Sequence, residues 1–249
     1  MIHKIITHNG IFHADDVMAT ALLLEFIRPT IPVERTRNIS ADEFANPDVW
    51  IVDVGGQYNT ELNNYDHHHD ASLPSACVLV LKELCFRGHI STVVYDELID
   101  PLMEISHIDC NGPVDRNGFQ VNSLIKSFNA FPNGFDMAVQ LCRNYILSCK
   151  VSAAKSVESR QIWDGGEQIS LFIRACDEFP IHWKRYEEET FLVYPHDGKW
   201  NVLTINSEEF PLVSTGKETF MHANRFLGVF TTREDAISCA QASAYNAVG

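Results

Sequence analysis

Apolar and polar positions fall along this chain in blocks that read strand, helix, strand. Ile2 to Thr7 is a short apolar run that ends in the polar trio His8-Asn9-Gly10, the profile of a buried strand entering a loop. Asp15 and Asp16 precede Val17 to Ile27, an apolar stretch rich in Ala and Leu. This predicts a buried helix with acidic residues in its first turn, where they complement the helix dipole, stopped by Pro29. Pro32 to Arg37 predicts a second strand. Asp48 to Val54 predicts a third, apolar on successive residues as in a strand covered on both faces, and it ends at Gly55-Gly56. Ser75 to Phe86 predicts another buried helix, closed by Arg87-Gly88. Such alternation predicts an α/β fold with a largely parallel sheet.

From about residue 90 to 150 the pattern turns helical, with one helix over Phe135 to Lys150 and a continuation or connecting helix over Val151 to Trp163. The break at Asp164-Gly165-Gly166 predicts a boundary nearby. The expected organisation is a metal-binding catalytic domain over 1–150, a helical connector over 151–165 and a smaller α+β domain over 166–249. In the last part a strand is predicted at Ile169 to Phe172 and a short helix around Pro180 to Tyr186. A hairpin follows, pairing Thr190 to Tyr194 with Trp200 to Ile205 around Asp197-Gly198. A strand at Phe220-Met221 and a helix from about Arg233 to Ala244 complete the prediction.

Composition changes this picture only at the margins. The 249 residues are 45% hydrophobic and 21% charged, ordinary for a globular protein, and no apolar run approaches the ~20 residues of a membrane span. The N-terminus lacks a signal-peptide pattern, and seven cysteines without a CxxC pair point to free thiols in a reducing compartment, so a cytoplasmic location is expected. A net charge of -14 argues against non-specific nucleic-acid binding through Lys and Arg. It leaves a phosphate substrate open, because bound cations add positive charge that a formal count omits. Nothing in the sequence fixes the number of subunits.

Candidate chemistry lies in four clusters placed at strand ends or loops: His8 to Asp16, Asp53 before two glycines, Tyr65 to Asp70, and His107 to Gly112. Taken singly, each has an ordinary explanation. A loop histidine, an acidic first turn or turn chemistry at Asp53 accounts for its own cluster. Jointly, in open parallel sheets, groups at strand carboxyl ends converge on one site. Imidazole and carboxylate ligands without thiolate suit a pair of divalent ions, Mn²⁺ foremost with Mg²⁺ or Co²⁺ as alternatives, rather than a closed structural zinc site. Two such ions sharing a carboxylate clamp a phosphoryl group. Phe12, Tyr58 and Phe119 are weak cues for base stacking, each also at home in packing.

The motifs THNGIFHADD (7–16), VDVGGQY (52–58) and YDHHH (65–69), with ERTRN (34–38), HIDCNG (107–112), GKWNV (198–202), FMHANRFLG (220–228) and TREDA (232–236), make the chain similar to the DHH phosphoesterase superfamily. Within it, the chain most resembles the melanocyte-proliferating-gene-one exonuclease family. The resemblance implies one metal held by His8, His13 and Asp53 and a second by Asp15, Asp53, His67 and Asp109, with Asp53 bridging. It implies that His68 bonds the phosphate or acts as general acid, that Asp66 orients the histidine pair, and that Asp16 and His69 orient ligands. Arg35 and Arg37, alternating onto one strand face, are expected to contact substrate phosphate, and His222 and Arg225 to bind the distal substrate. At Arg225 the chain departs from a position often occupied by glycine in that family.

The expected activity is a two-metal-dependent phosphodiester hydrolase, a 3′→5′ exonuclease on RNA or short oligonucleotides. The alternatives are a small-molecule phosphoesterase acting on pyrophosphate, a nucleotide or a cyclic dinucleotide, which the acidity favours, and a non-catalytic metal- or nucleotide-binding regulator. A full ligand set speaks against the last.

Overall fold

In the computed structural model, which describes residues 2–112, 120–186 and 188–248, strand β1 (Lys4–Thr7) carries the first apolar block into the middle of a sheet. Phe119 lies outside the described residues. The chain crosses through helix α1 (Ala14–Phe26) to β2 (Val33–Arg35), passes the short helix α2 (Ala41–Phe44), and returns on the other side of β1 as β3 (Val49–Val52). Strands β4 (Tyr58–Asn59) and β5 (Asn64–Tyr65) complete the order β2-β1-β3-β5-β4, parallel except for the edge strand β4. The chain leaves β1 toward β2 and comes back beside it as β3. The carboxyl ends of β1 and β3 therefore flank a topological switch point, where parallel sheets leave a crevice.

Helix α1 is buried from Ala14 through Leu24, so its apolar sequence has no solvent face to mark a period. It packs on β1 and β3 and on the helices α3 (Ala76–Phe86), α4 (Thr92–Asn111) and α5 (Val121–Ser127). Leu22, Leu23, Leu81 and Leu84 are fully buried there, each contributing about 1.5–3 kcal/mol. At the far end of α1, Glu25 pairs with Arg143 at 3.4 Å and Lys150 at 3.0 Å, both on helix α6 (Gly134–Gly165).

Chain contacts divide into two compact units, Met1–Ala153 and Ala154–Gly249. The second holds a six-stranded sheet of β6 (Glu167–Ser170), β7 (Ile173–Ala175), β8 (Phe191–His196), β9 (Lys199–Thr204), β10 (Phe220–Met221) and β11 (Leu227–Phe230), in the order β10-β11-β9-β8-β7-β6. Ala236, Cys239, Ala240 and Ala244 of helix α7 (Arg233–Val248) share a core with Phe191, Val193, Val202 and Phe230 of the strands. A separate cluster joins Leu192 and Tyr194 to Trp163, Cys176 and Trp183.

Several expectations are corrected. The strand predicted over Pro32 to Arg37 stops at Arg35, because its partner β1 stops at Thr7; Arg37 lies in the bend beyond and does not share a strand face with Arg35. The strand predicted at Ile169 to Phe172 holds only at Ile169-Ser170, the end of β6; Leu171-Phe172 form the hairpin corner before β7, where Leu171 is 78% exposed despite its apolarity. The helix around Pro180 to Tyr186 reduces to one 3₁₀ turn at Trp183–Arg185. By contrast, the continuation expected over Val151 to Trp163 is found: Phe135 to Trp163 lies within a single continuous helix, α6. The fourth cluster is on the last turn of α4 rather than at a strand end. Among the described residues no helix is long and apolar enough to cross a membrane.

The loop after β3 depends on Gly55, whose φ is +99° and whose added Cβ would lie 2.7 Å from the Phe44 ring. Gly55→Ala is expected to lower stability by about 2 kcal/mol, combining left-handed strain with the ring clash. Urea unfolding monitored by tryptophan fluorescence reads this; an unchanged midpoint would refute the account of the loop.

Candidate metal centre

His8 is the first residue after β1, Asp53 the first after β3, and His67 the second after β5. These strands are neighbours in the sheet, so three distant segments arrive side by side. His8 Nδ1 donates to the carbonyl of Asn9 at 3.1 Å, which leaves Nε2 as the lone-pair nitrogen. That nitrogen lies 3.4 Å from Asp16 Oδ2 and 3.4 Å from Asp53 Oδ2. His67 Nδ1 lies 3.8 Å from Asp53 Oδ1 and 3.9 Å from Asp15 Oδ2, and its Nε2 lies 3.3 Å from Asp109 Oδ2. Asp53 thus faces His8 with one oxygen and His67 with the other. Its backbone is left-handed, with φ +54°, and its N–H still bonds Tyr65 O at 2.9 Å. Asp is among the few residues that tolerate this conformation, which here turns the carboxylate off the strand end.

Burial makes the cluster electrostatically costly. Asp15 and Asp16 are fully buried and Asp53 is 4% exposed. Burial, reinforced by Asp15, Asp16 and Asp109, holds the Asp53 carboxyl well above the usual range. Burial pushes Asp16 up to about 7. Asp15 is also raised, by burial and by Asp109, against the bonds it accepts from Ser75 Oγ (2.6 Å), Ala76 N (2.9 Å) and Cys77 N (2.7 Å). His67 is raised to about 9, first by its bond to Asp109 and then by the charges of Asp15 and Asp53. Asp16 Oδ2, Asp53 Oδ1 and His67 Nδ1 are buried without a hydrogen-bond partner. Buried carboxylate oxygens without a hydrogen-bond donor, with imidazole and further carboxylate groups near them, fit divalent cations. Ligand atoms of His8, Asp16 and Asp53 lie within 4.8 Å of one another, as do those of Asp53, Asp66, His67 and His68, and those of His67, Asp109 and Cys110.

The remaining expected residues are distributed around this centre. His13 is exposed at the N-terminal end of α1, its ring 5.8 Å from that of His8, and partial burial of the ring lowers its pKa. Asp66 accepts from Gly56 N at 2.6 Å with one oxygen and from His68 N (3.0 Å) and Nδ1 (2.6 Å) with the other. Although burial opposes it, these donors lower the Asp66 pKa. His68, its side chain 62% exposed, stacks on His67 at 4.4 Å. His69 is exposed. Arg35 lies over the Phe135 ring at 4.4 Å and bonds Gly10 O at 2.9 Å, while Arg37 is exposed. Phe12 is buried at 3% exposure, so it packs rather than offering a stacking face; Tyr58 is 40% exposed. His222 and Arg225 belong to the other unit, in the hairpin joining β10 and β11, where Arg225 has φ +55° and its N–H bonds His222 O at 2.7 Å.

Some participants escape sequence reasoning. Asp16 reaches the ring formed with His8 and Asp53, although the resemblance gives it only an orienting part. Cys110 is an exposed thiol beside His67 and Asp109, where a set without thiolate was expected. Asn129 accepts from Phe12 N at 3.0 Å and donates to Phe12 O at 3.0 Å, fastening the His8–His13 loop from 117 residues away. Nothing local marks Asn129. Ser75 is legible as the polar residue opening an apolar helix, but its bond to Asp15 is not.

The same stretch of chain carries the similarity to known proteins. Residues 4–74 match the MYG1_exonuc family model, described as Uncharacterised protein family (UPF0160), and they contain the HNGIFHADD, VDVGGQY and YDHHH motifs. The MYG1 protein of Chlamydia trachomatis serovar D is 33% identical over 133 residues, 51% of this chain and 45% of that protein. The MYG1 exonuclease of Mus musculus is 42% identical over 65 residues, 26% of this chain and 17% of that protein. The matches thus span less than half the length of these two relatives. The MYG1 protein of Dictyostelium discoideum is 25% identical across 95% of this chain and 94% of its own. The chain's resemblance to the MYG1 family is therefore established, most fully over its N-terminal motifs. The crystal structure of RecJ in complex with Mg²⁺ from Thermus thermophilus aligns with 99% of this chain and 50% of its own, at 13% identity and a TM-score of 0.31, a distant likeness only.

The raised pKa values give a signed pH dependence. Without cations, Asp16 binds a proton more tightly folded than unfolded, so its contribution is complete below the ordinary carboxyl value of 3.8 and is lost as pH rises through about 7. His67 adds stability that is complete below 6.5 and is lost as pH rises through about 9. In chelator, the melting temperature is expected to fall from these two groups across that window, and saturating Mn²⁺ to remove the fall. A melting temperature insensitive to Mn²⁺ at pH 8 would refute the centre. Asp53→Asn keeps a side chain that tolerates left-handed backbone and removes a buried charge. It is expected to raise the metal-free melting temperature and to diminish the gain from Mn²⁺, which for one saturated site is about 2.7 kcal/mol at a hundredfold excess over Kd.

Proposed function

We propose that this chain is a divalent-metal-dependent phosphodiester hydrolase, acting as a 3′→5′ exonuclease on RNA or short oligonucleotides. The observation that carries the reading is that Asp53, at the switch point of a parallel sheet, faces His8 with one oxygen and His67 with the other, while Asp16 Oδ2, Asp53 Oδ1 and His67 Nδ1 are buried and unpartnered. The exonuclease name of the mouse relative supports the choice of reaction.

In this reading His8, Asp16 and Asp53 hold one ion, with His13 at its rim, and Asp15, Asp53, His67 and Asp109 hold a second. Bound there, paired cations supply charge that stabilises phosphoryl oxygens and a lowered pKa for water. The chain's own groups do the rest. Asp66 accepts from His68 Nδ1 at 2.6 Å, fixing the ring and leaving Nε2 as the atom through which a proton passes to the leaving oxygen. His68, with His13, His67 and Asp109, lines a cavity of about 700 Å³ large enough for nucleotide groups. Arg35, Arg37, His222 and Arg225 are assigned to substrate contact in the same reading.

Mn²⁺ is expected to support stepwise release of mononucleotides from the 3′ end of 5′-labelled RNA, and His68→Ala to slow it by about 10²–10⁴-fold at saturating metal. No release with Mn²⁺, Mg²⁺ or Co²⁺ across a broad pH range would overturn the proposal. Hydrolysis confined to pyrophosphate or dinucleotides would move the assignment to a small-molecule phosphoesterase.

A further inference from the structure

The first unit contains four lysines, and they divide cleanly by environment. Lys4 bonds Glu34 at 2.9 Å and Glu43 at 2.5 Å, and Lys150 bonds Glu25 at 3.0 Å. Lys82 and Lys126, by contrast, have exposed side chains with no acidic partner among the described residues. Both line cavities at the metal centre. Lys82, on the otherwise largely buried helix α3, lines the 700 Å³ cavity together with His13, His67, His68, His107 and Asp109. Lys126, on α5, lines a second cavity of about 300 Å³ that includes His13, Asp109, Gln120 and Ser123. The two cavities share His13 and Asp109, so they meet at the rim of the centre and open along different helices.

In a chain of net charge -14, uncompensated ammonium groups kept at the two mouths of one acidic centre have a simple use: they meet anions that the centre does not itself hold. A lysine is a compact point charge on a flexible stem, suited to a phosphate whose position shifts as a strand advances, where a bidentate arginine would fix one pose.

Resting on the hydrolase reading above, we infer that Lys82 and Lys126 each contact a substrate phosphate other than the one being cut, so that the ligand is an oligonucleotide crossing both cavities. Pyrophosphate has a single phosphate besides the one attacked, so it can meet at most one of the two lysines. A strand ending in a 3′-hydroxyl at the scissile nucleotide reaches one of them. A strand whose 3′ end carries a phosphate has one on each side of the cut and reaches both.

The test uses the full chain loaded with Mn²⁺ and three probes: pyrophosphate, and an RNA of about ten nucleotides with a 3′-hydroxyl or a 3′-phosphate end. The wild type is expected to favour the 3′-phosphate RNA in kcat/KM, then the 3′-hydroxyl RNA, then pyrophosphate. Lys82→Ala and Lys126→Ala are each expected to raise KM for the 3′-phosphate RNA several-fold with kcat little changed. Each should also flatten the dependence of log(1/KM) on log[salt] by about 0.7. Lys82→Arg and Lys126→Arg should recover the slope, which a merely structural role would not produce. If the wild type cuts RNA but both alanine variants keep its KM and salt slope, this inference falls and the hydrolase reading stands. If the wild type cuts none of the probes, the hydrolase reading falls and takes the inference with it.

Discussion

Mutual repulsion among buried carboxylates is the constraint from which the rest of the first unit follows. Asp15, Asp16 and Asp53 are withdrawn from water next to Asp109, an arrangement that burial and like charge both oppose. The surrounding structure offsets part of the cost with directed donors, from the start of α3 toward Asp15 and from His13 N toward Asp16. Tyr65 O accepts from Asp53 N and so holds the third carboxylate by its backbone. The oxygens left without donors are Oδ2 of Asp16, which faces His8, and Oδ1 of Asp53, which faces His67. Buried oxygens left in this way are compatible with a divalent cation.

The same constraint explains why the sheet has its particular order. Three segments carrying candidate ligands could be assembled from loops, but loops alone hold side chains loosely. Here β1, β3 and β5 are adjacent parallel strands, and their ends fix the first backbone atoms of each segment by ladder bonds. The buried apolar body of α1 secures the acidic first turn from behind. Asn129 adds a clasp on the loop between His8 and His13 from a remote part of the unit.

Much of this is legible in the chain itself. The alternation of apolar blocks predicts the parallel sheet and α1; His8 and Asp53 stand out as polar residues at the ends of apolar strands, and His67 by its place in the Asp-His-His run. The order of strands is not legible, because β4 and β5 are two residues each and too short to leave a period. Asp109 is recognisable by type but not by setting. It falls near the end of a 20-residue helix rather than at a strand end, and a polar residue near a glycine looks alike in both places. Asp16 is understated because adjacent carboxylates in a first turn are ordinary helix chemistry, and only the fold shows that both are buried. Leu171 misleads in the opposite sense, its apolar side chain standing exposed at a hairpin corner.

The left-handed backbone at Asp53 has a consequence for how this site can change over generations. Glutamate would retain the charge but seldom adopts that conformation, and its longer arm would carry the oxygens past their present neighbours. Glycine and asparagine would accept the backbone and surrender the anion. Each of these replacements sacrifices either shape or charge, so the residue stands at an isolated peak.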